Sequence, residues 1–196
     1  NAAALAGQNA VVTAYNALAG QPCDVNLTGI DLGGLTLTPG AYCFSSSAQL
    51  TGTLTLDGLG NAGAVWVFQI GSTLTTASGS RVVYINAGQA CGTFWQVGSS
   101  ATLGGATAFA GNILALQSIT LVTGATNQGA LFARNGAVTL DTNVVSTVGS
   151  CGGGPQPSPT PIPTPGPGPS PVPALPPGAG LALFLVLLGT GAYILN

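Results

Sequence analysis

The sequence has almost no charge. It contains no histidine, lysine, glutamate or methionine, and only two arginines and four aspartates among 196 residues. Two cations cannot neutralise a nucleic-acid backbone or an anionic membrane surface, so neither is expected as an electrostatic partner. Metal sites usually need histidine, several carboxylates or clustered thiolates, and catalytic Ser-His or Cys-His pairs need histidine. We therefore expect no metal and no cofactor.

The four carboxylates also argue against an enzyme. Asp24, Asp31, Asp57 and Asp141 are far apart in the sequence. General acid–base catalysis would require the fold to bring two of them together. Asp57 precedes a glycine, which is a pair typical of turns. We expect a non-catalytic protein.

Cysteine is scarce but even in number. The four cysteines contain no CxxC pair, and an even count is typical of disulfides formed in an oxidising compartment. Three pairings are possible. We favour Cys23–Cys43 with Cys91–Cys151, because each would tie the edge of a segment to its neighbour; buried free thiols are the alternative. Together these features indicate an extracellular or cell-surface protein.

The first segment, residues 1–22, is predicted to be a helix that packs along the rest of the domain. Apolar residues recur at helical spacing over residues 2–19: Leu5, Val11, Val12, Tyr15 and Leu18. Gly20 and Pro22 are stop signals. No signal peptide precedes the helix, so we expect a mature or truncated chain.

Residues 23–151 contain an imperfect repeat. Although 31 glycines are present, 46% of the chain is apolar, which favours a folded core over disorder. One leucine can be aligned in each repeat: Leu50, Leu74, Leu103, Leu121 and Leu140. These spacings of 18 to 29 residues are typical of solenoid coils. We predict a mainly β protein, an irregular right-handed β-solenoid with one long helix alongside.

A second strand precedes the leucine in most coils. The aligned triplets are Phe68-Gln69-Ile70, Trp95-Gln96-Val97, Leu114-Ala115-Leu116 and Phe132-Ala133-Arg134. Strand alternation predicts that the first and third residues of each triplet face the core. Arg134 breaks this pattern, so it lies in an end coil or the register slips there.

Outward-facing threonines are expected beside the aligned leucines. The preceding positions are Gln49, Thr73, Thr102, Thr120 and Thr139, and a second set follows the leucines at Thr76, Thr123 and Thr142. Because stacked strands are about 4.8 Å apart, these residues would form regular columns on the surface. The alternative is that threonine simply suits β geometry.

The C-terminal part has a different composition. Residues 152–177 form a proline-rich, extended linker, in which the serines and threonines of 155–172 could carry glycans. Residues 178–196 contain an apolar run at 179–195, which suits a membrane anchor or an assembly helix. Asn26-Leu27-Thr28 matches a glycosylation acceptor.

Several stretches resemble the microbial ice-binding (antifreeze) protein family. They include AYNALAGQPC, DLGGLTLTPGAYCFSSSAQLTGTLTLDG and FAGNILALQSITLVTGAT, and the resemblance covers about residues 10–147. It implies a discontinuous β-solenoid with a side helix, and ice binding through a flat threonine face. Family members usually carry further residues before the helix, which are not present here.

Two functions follow as hypotheses. The main one is a structural or adhesive subunit of an extracellular filament or array that self-associates. Solenoid ends that carry no charge, and no lysine to prevent pairing of their edge strands, associate readily. The alternative is an ice-binding protein that uses its threonine face and is anchored to the cell by its C-terminal segment.

Overall fold

The computed structural model describes residues 1–149, beginning with helix α1 at Ala2–Ala19. The helix predicted over residues 2–19 is therefore present. The side chain of Asn1 accepts a hydrogen bond from the Ala3 N–H at 3.0 Å and caps the helix. Only Tyr15 and Leu18 are buried. Consequently α1 packs on the domain through its C-terminal half.

The described residues after the helix form 17 strands in three parallel sheets. Sheet A contains β1 (Val25–Asn26), β3 (Gly40–Phe44), β6 (Trp66–Ile70), β9 (Thr93–Val97), β12 (Asn112–Ala115) and β15 (Leu131–Ala133). Sheet B contains β4 (Ala48–Leu50), β7 (Leu74–Thr76), β10 (Ala101–Leu103), β13 (Ile119–Leu121) and β16 (Val138–Leu140). Sheet C contains β2 (Thr36–Leu37), β5 (Thr53–Asp57), β8 (Arg81–Ile85), β11 (Ala108–Ala110), β14 (Thr126–Gln128) and β17 (Val144–Ser146). After the first coil, which has strands only in sheets A and C, each coil contributes one strand to sheet A, then one to sheet B and then one to sheet C. This order confirms the β-solenoid.

The solenoid interior is filled by stacked apolar side chains, one set from each coil. Sheet A contributes an aromatic stack in which the rings of Phe68 and Trp95 lie 3.9 Å apart and nearly parallel. Tyr42 extends the stack on one side, and Phe109 of sheet C packs against Trp95 on the other. Buried aromatic pairs of this kind add stability beyond the area that they bury, so the stack fixes the coils relative to one another.

The unequal repeat lengths arise at one corner of the solenoid. The register pairs Thr102 with Thr120, so that coil takes only 18 residues. The two longer coils carry extra residues at 58–65 and 86–92, between sheets C and A, and a short 3-10 helix (Ala90–Gly92) lies in the second insertion. Both corners that flank sheet B remain short.

One predicted strand register is right in two coils and wrong in the next two. Phe68 is paired with Trp95 as expected, but Trp95 is paired with Ile113 rather than Leu114. A one-residue shift turns every side chain to the other face. Leu114 therefore faces outward and packs with Tyr15, and Arg134 also lies outside, 4.6 Å above the Tyr15 ring.

A disulfide joins Cys23 to Cys43, with their Cα atoms 5.9 Å apart, as predicted. It ties the end of the helix segment to β3. The predicted Cys91–Cys151 pair, the proline-rich linker and the apolar run 179–195 involve residues outside the described range and stay predictions. Within residues 1–149, no helix is long and apolar enough to cross a membrane.

Candidate functional site

A rank of threonines runs across the middle of sheet B. Strand pairing places four threonines and one glutamine side by side, and we call this row the central rank: Gln49, Thr75, Thr102, Thr120 and Thr139. In β4, β7, β10 and β13 the neighbours along the strand are buried, so these side chains face outward; Thr139 lies in the same register on β16, the last strand of the sheet. With strands about 4.8 Å apart, the central rank presents one methyl and one hydroxyl at each step.

The hydroxyl groups of the central rank are free to bind water. Among the described residues, none of these four threonine side chains makes a hydrogen bond to another protein group. Threonine is β-branched and therefore has a restricted χ1 angle in a strand. The rank thus combines fixed methyl positions with hydroxyls that have no competing partner.

A second rank of hydroxyls lies at the corner between sheets A and B. Backbone hydrogen bonds align its members, which are Ser47, Thr73, Ser100, Ser118 and Ala137. These hydroxyls are held by the protein: Thr73 donates to Ser47 Oγ at 2.8 Å, and Ser100 Oγ accepts from the Ser118 N–H at 3.3 Å. We call this set the corner rank. Its hydroxyls are fixed at one coil spacing beside the central rank.

Three of the predicted positions lie outside the central rank. Thr76 faces the interior and is 3% exposed; its hydroxyl accepts from the Gly104 N–H and contacts the Thr107 hydroxyl. Thr123 and Thr142 lie in the turns from sheet B to sheet C, and both donate to the Asp141 carboxylate. The alignment on leucine fails because β7 carries threonine, not leucine, at its inward third position.

The predicted position of Thr73 is also wrong, because Thr75 occupies that place in the central rank. Thr73 lies in the corner rank, two residues before Thr75, which lies in the central rank. The similarity of Gln69-Ile70-Gly71-Ser72 to Gln96-Val97-Gly98-Ser99, carried forward, pairs Thr75 with Thr102. This similarity between the two coils was visible in the sequence. The alignment on Leu74 instead placed Thr73 opposite Thr102, and so it left Thr75 out.

The surface around the central rank is nearly uncharged. On the sheet C side, the ladder continues through small or apolar positions such as Ala77, Gly104 and Val122. Carboxylates occur only at the end coils: Asp31 pairs with Gln49, and Asp141 follows β16. Partial burial acts to raise the pKa of Asp31, but hydrogen bonds from the Gly33 and Thr51 backbone lower it.

The other two faces are less suited to a flat ligand. Sheet A is covered by α1, whose Tyr15 hydroxyl donates to Val97 O at 3.2 Å. Gln69 Nε2 donates to Leu18 O and Gln21 O and holds the end of the helix. Sheet C exposes Arg81 in the row that also contains Thr53 and Ala108, so its outward residues alternate in size and charge.

Metal or acid–base chemistry has no candidate centre on residues 1–149. No group of three His, Cys, Asp or Glu side chains in that range could hold a metal ion. Burial raises the pKa of Tyr84, whose hydroxyl donates to Thr93 Oγ1 between the sheets. That environment belongs to the packed interior, and it supplies no reactive group to the surface.

Comparison with known proteins gives consistent matches. The family model described as Ice-binding-like matches residues 1–146. An ice-binding protein of Nostoc sp. (strain HG1) is 65% identical over 135 residues, covering 68% of this chain and 50% of that protein. Ice-binding protein 1 of Shewanella frigidimarina is 42% identical over 138 residues, covering 68% of this chain and 16% of its own length. The crystal structure of an ice-binding protein from Antarctomyces psychrotrophicus matches with a TM-score of 0.74 and 40% identity, over 76% of this chain and 74% of that one.

Within residues 1–149, the fold and its outward threonines define a β-solenoid that presents one nearly uncharged, hydroxyl-bearing face, with helix α1 packed on another face. The chain belongs to the Ice-binding-like family. It spans about half the length of the Nostoc relative.

Proposed function

We propose that this chain binds ice through sheet B, with the central rank as the main contact and the corner rank beside it. The observation that carries the proposal is the register of Thr75, Thr102, Thr120 and Thr139 on one uncharged face. A rigid array with one hydroxyl and one methyl per coil spacing can hold water in a repeating arrangement. The names of the similar proteins support the same function.

The arrangement of the solenoid corners supports this choice of face. The two insertions, 58–65 and 86–92, lie at the corner opposite sheet B and would not obstruct an extended flat ligand. The corners that flank sheet B contain glycines whose lack of a side chain lets the coils approach closely. A Cβ atom on Gly104 would lie 2.5 Å from Thr76 O.

The experiment is a comparison of tyrosine substitutions on two faces of one coil. Thr120→Tyr on sheet B should abolish thermal hysteresis and the shaping of ice crystals, because a large ring breaks the flat surface. Thr126→Tyr on sheet C is the matched control and should retain both activities. Equal loss in both variants, or retention in both, would show that sheet B is not the ice-binding face. Circular dichroism should confirm that each variant is folded.

Ice binding displaces the filament as our main hypothesis, because the similar proteins are ice-binding proteins and none of their names denotes a filament subunit. The proposal assigns no catalytic step to the chain. An extracellular location is part of it, and the Cys23–Cys43 disulfide supports an oxidising compartment. Self-association, attachment through 179–195 and glycans on 155–172 stay predictions.

A further inference from the structure

The first coil has an apolar edge that no described segment covers. Strand β1 pairs with β3 on one side only within residues 1–149. Near it, Val25 is 44% exposed and Ile30 is 50% exposed. An open parallel edge with apolar side chains favours pairing with other chains, and proteins commonly guard such edges with lysine. This sequence contains no lysine.

The carboxylates of the first coil are occupied by its own backbone. Asp24 Oδ2 accepts from the Ala41 N–H at 2.8 Å. Asp31 Oδ1 accepts from the Gly33 N–H at 2.7 Å and the Thr51 N–H at 2.9 Å. Both carboxylates are therefore engaged within their own coil.

Asn26 lies on this edge within a glycosylation acceptor. Asn26 and Thr28 are both exposed, and Asn26 Oδ1 accepts from the Thr28 N–H at 2.9 Å. The amide nitrogen Nδ2 of Asn26 bonds no other group in the described part of the chain. The Thr28 hydroxyl is fixed by the Ser45 N–H, which donates to it at 2.8 Å. The acceptor is therefore ordered with its reactive nitrogen free.

A groove of about 390 Å³ opens next to Asn26, within the usual volume range of small-molecule sites. Its polar lining consists of Ser45, Gln69 and Gln96. Gln96 is only 6% exposed, and its amide makes no hydrogen bond to any protein group among residues 1–149. Because the amide atoms of Gln96 are not fully enclosed, they reach the open groove, where the hydroxyls of a sugar can form hydrogen bonds with them without requiring charge.

We propose that Asn26 carries an N-linked oligosaccharide, whose first sugar lies in this groove and whose remainder covers the edge of the first coil. In the modification, Asn26 Nδ2 attacks the anomeric carbon of a lipid-pyrophosphate-linked oligosaccharide. The new bond joins nitrogen to that carbon, the bond from carbon to the pyrophosphate oxygen breaks, and one amide proton is lost. The lipid pyrophosphate is the leaving group, and an oligosaccharyltransferase of the producing cell catalyses the transfer.

The test is mass spectrometry of the peptide that contains Asn26, from protein purified from its natural source. The peptide should carry hexose-type mass additions, and enzymatic release of the glycan should convert Asn26 to aspartate. Thr28→Ser should retain the modification, and Asn26→Gln should lose it. An unmodified peptide in the native protein would overturn the proposal.

The role of the groove needs a separate variant. Gln96→Leu leaves the acceptor intact, so occupancy should persist while glycosidase release from the folded protein becomes at least several-fold faster. Unchanged release would show that the first sugar does not use the groove. If the native protein is unmodified and sediments as a dimer, a second copy covers the edge instead. Thermal hysteresis reports on sheet B, so each of these outcomes is distinct from a failure of ice binding.

Discussion

Thr102 and Thr120 are paired Cα partners on β10 and β13, and the hydroxyl of neither bonds a protein group in the described part of the chain. The same relationship extends to Thr75 and Thr139 on the flanking strands. Regularity at a surface normally reflects packing beneath it, and here Ala101 and Ile119 form the buried layer under these threonines. The core thus sets the spacing of the face.

Substitution of Thr120 can separate the role of its methyl group from that of its hydroxyl. Thr120→Val keeps the branched, χ1-restricted shape, whereas Thr120→Ser keeps the hydroxyl and gains rotational freedom. When ice binds, the hydroxyl exchanges a hydrogen bond to liquid water for one to a water molecule of ice, so its net contribution to the binding free energy is modest. We expect Thr120→Ser to lower thermal hysteresis more than Thr120→Val. The opposite order would show that the hydroxyl dominates.

Much of this architecture could be predicted from the sequence, because a buried apolar residue in each strand leaves a periodic signal. The helix, the solenoid and the Cys23–Cys43 pair all follow from local patterns. The register of strand pairing between coils was harder to predict, because a coil can gain a residue at a corner without altering the apolar periodicity. Gly111 alone connects β11 to β12, and this short connection turned Leu114 outward.

The threonine face was predicted only in part for a related reason. Thr102, Thr120 and Thr139 each precede the aligned leucine in strands of equal length, and so their column is visible in the sequence. In β7 the buried position is Thr76, because its hydroxyl has partners in Thr107 and the Gly104 N–H. Such hydrogen bonds between buried polar groups form only in the folded structure, and no local sequence pattern predicts them.

A corner glycine should be required for close stacking of the coils. A Cβ atom on Gly98 would lie 2.5 Å from Gly71 O, whereas the nearest atom to a Cβ on Gly105 is Thr123 O at 3.4 Å. Gly98→Ala should therefore lower the free energy of unfolding by about 1–3 kcal/mol, the usual effect of overpacking. Gly105→Ala is the control and should be close to neutral. Chemical denaturation measures both, and an equal effect would contradict the corner argument.

Thr76 should contribute to stability rather than to ice binding. Thr76→Val removes the acceptor of the Gly104 N–H and a partner of the Thr107 hydroxyl. Thr107 keeps its hydrogen bond to Ala77 O, so the main loss is the acceptor of the partly buried Gly104 N–H, which should cost about 1 kcal/mol or more. The neighbouring Thr75→Val changes an exposed side chain and should alter the free energy of unfolding by less than about 0.5 kcal/mol. A large loss for Thr75→Val with none for Thr76→Val would reverse their assignment.

Acid should destabilise the first coil through Asp31 while leaving the threonine face unchanged. Hydrogen bonds from Gly33 and Thr51 lower the pKa of Asp31 below its ordinary value of 3.8, against the opposing effect of partial burial. Because the folded-state pKa is lowered, the stabilising contribution is present above the ordinary pKa and is lost as the pH falls through the lowered value. Unfolding measured from about pH 5 downward should show this loss in the wild type and a smaller loss in Asp31→Asn, whose side chain still accepts hydrogen bonds but does not ionise. Threonine does not titrate, so thermal hysteresis should stay constant between about pH 5 and 9. An identical acid response in both proteins would show that Asp31 does not couple folding to pH.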